Sequence, residues 1–495
     1  AYVGKHLMRF PLDVRDLSLT VTDTWTRTGH RIADFLTPSL RLGVTGLARS
    51  GKTVFITALI RNLTQGGRLP FFAPYAEGRL ISANLEPQPD DEIPRFDYEA
   101  HVAALGADPP EWPESTRRIS EVRVALAFTP EHWLRRSLGI RRMNLDIVDY
   151  PGEWLLDLAM LGQTYAEWSR DALERARLPS RTAIARDWLA VSATLDPDAP
   201  EDETTARDGA QLFTRYLLAA RREAAVATLG PGRFLMPGDL EGSPLLTFFP
   251  LDVPPDGAPN RGSLHAMMAR RYDSYVAHVV RPFFRDHFSR LDRQIVLVDV
   301  LGALAGGAEG IAELESALAS VLRTFRPGVA SWLQSVIGAR RIDRLVFAAT
   351  KADHIHHTSH DRLEAILRLL TQRAAARAGE AGAETRVMAL AALRATREAQ
   401  IREGGATLPC IVGVPLPGET VSGERFDGHR EVAVFPGDLP EDPAAALTGS
   451  TVLDTAFPRF RPPRLLPTLA SGEIPSAPHI RLDRALDFLI GDWLQ

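Results

Sequence analysis

The 495-residue chain is poor in cysteine and lysine, with a single Cys410 and only Lys5, Lys52 and Lys351. One cysteine excludes an intramolecular disulfide and fits a reducing compartment. Long apolar runs are also missing. None reaches the length of a membrane span, and the N-terminal residues lack the apolar stretch of a signal peptide. A cytoplasmic protein without transmembrane segments is therefore expected, with peripheral membrane contact left open. Charge of one sign is scarce as well: the formal net charge is −5 with no long run of like charge, so no nucleic-acid partner is expected. The shortage of lysine is the most informative. The chain has 57 basic residues, and all but those three are arginine. Lysine should persist where a slim ammonium does what a guanidinium fork cannot. Lys52 and Lys351 become candidates on that ground, whereas chance retention accounts for Lys5.

Lys52 lies in Gly46-Leu-Ala-Arg-Ser-Gly51-Lys52-Thr53. The motif follows the apolar run 40–45 and opens the helix-forming run 54–60. Strand, G-x-x-x-x-G-K-[ST] and helix in that order form the phosphate-binding loop, whose bland alternative is a Gly-rich turn. Gly46 and Gly51 let the backbone wrap closely around an anion, and the amides from Arg49 through Val54, Ser50 included, point at phosphates. Lys52 would reach the β and γ phosphates, and the Thr53 hydroxyl would hold Mg²⁺. Arg49 sits in the loop as a candidate for charge stabilisation.

A second motif ends the apolar run 143–149 at Asp149-Tyr-Pro-Gly152-Glu153. A strand-tip Asp149 beside the loop can bind Mg²⁺ through water, and the Gly152 amide can contact a γ-phosphate. Glu153 stands where small GTPases often place a water-orienting glutamine. A carboxylate there is repelled by an anionic phosphate unless it is protonated or turned away, so slow intrinsic turnover is expected. Asp299-Val-Leu-Gly302, after the apolar run 294–298, is a rival D-x-x-G; the hairpin preceding Asp149 favours the first. The third motif is Thr350-Lys351-Ala352-Asp353, at the end of a buried strand. Asp353 can accept from both the ring N1–H and the exocyclic amino group of guanine, a pattern that adenine lacks. The stem of Lys351 can lie along the base. The bland alternative is a surface ion pair after a core strand. Ala391 and Ala392, after the last expected core strand from 385, could approach the base through backbone alone. Thr116 is the candidate for a further Mg²⁺ ligand, with Ser115 as its rival and an ordinary turn hydroxyl as the alternative. His354, His356, His357 and His360 crowd one loop; a solvated loop is expected there rather than a metal site.

Hydrophobic periodicity and breakers divide the chain into an amphipathic N-terminal helix (1–38), a first core half (39–154) and a run of helices (155–289). A second core half (290–397), a Pro/Gly-rich appended β region (398–477) and a closing helix (478–495) follow. Core strands resume at 294, so the helical run reads as an insertion. The stretch from 64 to 112 reads as irregular, with a short strand at 79–85. Pro-Gly-Asp-Leu occurs at 237–240 and 436–439 and reads as a shared turn type.

Taken together, 46–53, 149–154, 237–242, 293–299 and 347–354 make the chain resemble the YcjX-like family of bacterial stress-associated P-loop GTPases. The resemblance implies an α/β fold: a Ras-like core with a mainly parallel sheet, a large all-helical insertion and a small appended β region. It implies GTP and GDP binding, Mg²⁺ dependence and GTP hydrolysis to GDP and phosphate, with a protein effector or activator left unknown. An ATP-using P-loop enzyme and a nucleotide-holding scaffold without turnover are the alternatives.

Overall fold

The computed structural model describes residues 37–46, 50–114, 118–132, 139–223, 230–254, 257–324, 342–378, 383–403, 406–421, 423–448, 457–466 and 477–495. The expected N-terminal helix, apart from its last two residues, and the candidates Arg49, Ser115 and Thr116 lie outside the described residues.

Seven strands form one sheet: β1 (Ser39–Gly46), β2 (Leu80–Glu86), β3 (Ser120–Phe128), β4 (Arg141–Asp149), β5 (Arg293–Val298), β6 (Arg344–Ala349) and β7 (Glu384–Ala389), in the order β2-β3-β4-β1-β5-β6-β7. β4, β1, β5, β6 and β7 run parallel, while β2 and β3 form an antiparallel edge. Alternation of side chains explains the apolar runs. Ile295 and Leu297 face one core, Val296 and Val298 the other; Val346 and Ala348 oppose Leu345 and Phe347 in the same way. A parallel strand covered on both faces loses its polar positions and reads as continuous apolar sequence.

One face is covered by α1 (Lys52–Thr64), which buries Phe55, Ile56, Leu59 and Ile60. The other face carries the run of helices expected after 154. Among the described residues this run includes α3 (Tyr165–Ala176), α4 (Pro179–Ser192), α5 (Glu203–Glu223) and α6 (Leu264–Tyr275), joined by α7 (Gly307–Thr324) and α8 (His360–Ala378) from beside the later strands. Thr164 and Glu167 form a reciprocal capping box that starts α3. The closing helix α9 (Leu482–Ile490) packs on the α1 face. Its last turn is held by arginines at the strand starts: buried Arg293 donates through Nε to the Leu489 carbonyl (3.1 Å) and partly exposed Arg344 donates to that of Phe488 (2.7 Å). Orphan carbonyls at a helix end are thereby satisfied.

The stretch from 64 to 112, expected to be irregular, contains α2 (Tyr98–Gly106), capped by the Asp97 carboxylate on the Ala100 amide. The appended region builds a small antiparallel sheet from β8 (Arg397–Glu403), β9 (Ala406–Gly413) and the strand Val432–Val434. In the two Pro-Gly-Asp-Leu stretches Gly238 and Gly437 both take positive φ, 59° and 76°, but 238–240 forms a 3-10 turn and 437–439 does not, so the shared feature is the glycine conformation alone.

Candidate functional site

β1 delivers its C-terminal end to the middle of the sheet, between the ends of β4 and β5. There the chain turns through Ser50 and Gly51 into α1. Gly51 has φ 82°, a left-handed conformation that costs glycine little. A Cβ on Gly46 would fall 1.8 Å from Ser50 Oγ, so these two residues approach too closely for a side chain at 46. Thr53 is buried at the start of α1, and Lys52 Nζ donates to Asp149 Oδ1 at 2.8 Å. The two motif residues therefore meet although 97 positions separate them. Asp149 is 1% exposed at the tip of β4.

The rival motif makes different contacts. Asp299 Oδ1 accepts from the Gly302 amide at 2.9 Å and caps the short helix Val300–Ala305. Its other oxygen accepts from Lys351 Nζ. D-x-x-G here is an N-cap geometry, because a short carboxylate side chain reaches the amide three residues on.

Thr350 follows β6, and Lys351 adopts φ 60°. Asp353, 4% exposed, accepts from the Ala395 amide at 2.8 Å through Oδ2. The Ala352 amide donates to the Leu390 carbonyl at 3.1 Å, which joins this turn to Ala391 and Ala392. A cleft of about 480 Å³ takes in Gly46, Ser50, Gly51, Lys52, Thr53 and Val54 at one end and Thr350, Lys351, Asp353, Ala391 and Ala392 at the other. That volume is within the range of small-molecule sites. Glu153 also lines it.

Three contributions to the cleft were not read from the sequence. Arg221, near the C-terminal end of α5, lines it and donates to Glu153 Oε1 at 2.6 Å. Arg459 and Phe460 reach it from the appended region. Position alone singles none of them out, since Arg221 is one arginine among many and its partner is 68 residues away.

The turn after Gly152 is fastened to the helical run. The Asp157 carboxylate accepts from Tyr275 Oη and the Gly232 amide, both at 2.6 Å. Burial pushes that carboxyl up to about 6, against those two hydrogen bonds. Arg233 lies 3.4 Å from the centroid of the Trp154 ring and donates to Asp239 at 3.0 Å. A Cβ on Gly232 would sit 2.4 Å from the Glu153 carbonyl oxygen, so only glycine admits this approach.

The histidine loop corrects the expectation of a solvated segment. His354, His356 and His360 are buried, and only His357 is exposed. His360 Nε2 contacts the Ala352 carbonyl at 2.8 Å, and His354 stacks edge-on against Phe460 with centroids 5.4 Å apart. That aromatic partner comes from the appended region, which sequence periodicity could not reveal. Burial lowers the pKa of all three. His356, His357 and Glu398 bring ligand atoms within 4.8 Å of one another, with His357 Nδ1 2.7 Å from Glu398 Oε2.

Among the described residues no helix is long and apolar enough to cross a membrane. A family model described as "YcjX-like family, DUF463" matches residues 40–494. A protein of Escherichia coli (strain K12) named Ras-like GTPase YcjX is 38% identical over 469 residues, covering 92% of this chain and 96% of its own. A protein of the same name from Shewanella oneidensis (strain MR-1) is 34% identical over 488 residues, covering 94% and 96%. With an α/β fold on a mostly parallel sheet and this match over nearly its whole length, the chain belongs to the YcjX-like family.

Proposed function

We propose that this chain binds guanine nucleotides in the cleft at the end of β1 and hydrolyses GTP to GDP and phosphate. The carrying observation is that one cleft contains Lys52 and Thr53 at one end and Thr350, Lys351 and Asp353 at the other. Two motifs about 300 positions apart in sequence, one suited to phosphate and one to a guanine edge, then address a single ligand. The names of the two relatives agree with that reading.

The loop amides and Lys52 bind the β and γ phosphates, and Asp353 accepts from the guanine N1–H and amino group. Gly152 offers its amide to the γ-phosphate. Thr53 and, through water, Asp149 would hold Mg²⁺, with Thr116 as a further candidate. Both Thr53 and Asp149 are buried beside Lys52 and offer only oxygen, which suits a hard cation. When bound, the cation neutralises charge that develops on the phosphates. The chain's own part is positioning and charge stabilisation, without a covalent intermediate. Pairing with Arg221 occupies the Glu153 carboxylate, which then does not orient a water as a glutamine would, in accord with slow intrinsic turnover. The helical run 155–289 supplies one wall of the cleft, and 398–477 supplies part of the base side.

Competition of GDP and ADP for a fluorescent guanine nucleotide tests the base. Asp353→Asn should weaken GDP binding about a hundredfold and favour a xanthine nucleotide, because the amide donates where the carboxylate accepted. Equal competition by ADP would identify an ATP-using enzyme instead. Tight GTP binding with no phosphate release would identify a scaffold.

A further inference from the structure

We propose that Arg221 is the catalytic arginine of this site, donating to the γ-phosphate during transfer, and that Glu153 competes with phosphate for it. The inference rests on the GTP hydrolysis proposed above and names the group that stabilises its charge.

The cations lining the cleft divide by their partners. Lys52 is held by Asp149 and Lys351 by Asp299, both at strand tips. Arg459 pairs with Glu419 and enters beside Phe460, on the side of the guanine-recognising residues. Arg221 pairs with Glu153, the residue directly after Gly152. That places its guanidinium next to the end of the cleft assigned to the γ-phosphate. It reaches there from α5, an element that otherwise packs among the helices.

In hydrolysis the water oxygen forms a bond to Pγ as the bond from Pγ to the β–γ bridging oxygen breaks. The electron pair remains on that oxygen of GDP, and the proton of the water passes to the released phosphate. Charge spreads over the γ oxygens and the bridging oxygen meanwhile. A planar guanidinium carries five donors in a fork that suits two such oxygens. Arg221 has a partner it can exchange. The pair is 29% and 12% exposed, and a partly solvated ion pair is weak. A γ-phosphate brings more negative charge than one carboxylate, so it draws the guanidinium from Glu153.

A purely structural bridge between α5 and the turn would behave differently. The measurement is single-turnover GTP hydrolysis with the full chain, alongside GDP affinity, for Arg221→Ala, Glu153→Gln and the double variant. Arg221→Ala should slow hydrolysis by about 10²–10³-fold and leave GDP affinity within about threefold. Glu153→Gln should speed hydrolysis several-fold when Arg221 is present and have no effect in its absence, the non-additivity of two groups that share one interaction. Guanidinium ion should restore part of the rate of Arg221→Ala where sodium does not. Arg222→Ala, on the neighbouring exposed arginine that does not line this cleft, should match wild type. A rate for Arg221→Ala within about twofold of wild type overturns the role while the function stands. So does a parallel loss of GDP affinity and rate. A wild-type chain that binds no guanine nucleotide overturns the function, and this role with it.

Discussion

Glu121 is fully buried on β3, with Arg41 at 2.8 Å. Burial outweighs that partner and pushes its carboxyl from 4.5 up to about 7. The folded protein then holds this proton more tightly than the unfolded chain does. Its stabilising contribution is complete below pH 4.5 and is lost as pH rises through 7, a change of roughly 3 kcal/mol. Buried histidines with lowered pKa, such as His354 and His360, act in the opposite sense, so the test is a difference. Denaturant unfolding at pH 4.5 and 7.5 should show a smaller fall, or a larger rise, in stability for Glu121→Gln than for wild type. Identical pH slopes would sink the assignment. At Gly51 the argument is steric: φ is 82° and nothing lies within 4 Å of an added Cβ. Gly51→Ala should cost about 1 kcal/mol from the backbone alone, measured by the same unfolding. Single residues were legible where chemistry restricts the choice. Lysine scarcity marked Lys52 and Lys351, which the fold brings into one cleft. Arg221 was not legible, because a positive charge among so many arginines has meaning only once α5 is placed.

The element that links the cleft to the helices is the turn 153–157. Gly232 presses on its backbone, Asp157 receives two hydrogen bonds from the helical run, and Arg233 covers Trp154. Gly232→Ala must move one backbone past another. The expected cost is about 1–3 kcal/mol, with GTP hydrolysis falling more than GDP binding, since Glu153 and Gly152 shift while Lys52 does not. Equal effects on both would show that the turn tolerates displacement. Among the described residues, long periodic runs such as α5 and β4 were readable. α2 was missed because prolines dominate its neighbourhood and the helix has only nine residues. Asp97 as its cap and Glu99 in its first turn were the available signals. The histidine loop was misjudged for a different reason. His354 packs on Phe460, about a hundred residues away in sequence, and no local pattern encodes that contact.

At the scale of the whole molecule, β1 is flanked by the strands that carry Asp149 and Asp299 at their tips. Both candidate D-x-x-G strands proved to be neighbours of β1, which is why order alone could not separate them. The sequence division into core halves and a helical run did not reveal how the parts share a core. One apolar cluster runs from Val148 and Trp154 through the helices to Leu345 and Phe347 of the sheet. Trp188, 1% exposed, packs within it against Phe213 and Phe249, with centroids 5.2 and 5.6 Å away. Trp188→Ala should cost about 3–5 kcal/mol. Because the cluster is continuous, unfolding followed by circular dichroism and by fluorescence of the remaining tryptophans should stay coincident. Two separated transitions would mean that the helices hold a core of their own.

Two of the chain's three lysines line the cleft, each against an aspartate. To a reagent that acylates primary amines, the surface of this arginine-rich protein is therefore almost blank. Mass spectrometry after such labelling would read the nucleotide site against very little background. A bound guanine nucleotide should protect Lys52 and Lys351 together, so occupancy can be followed without any attached dye.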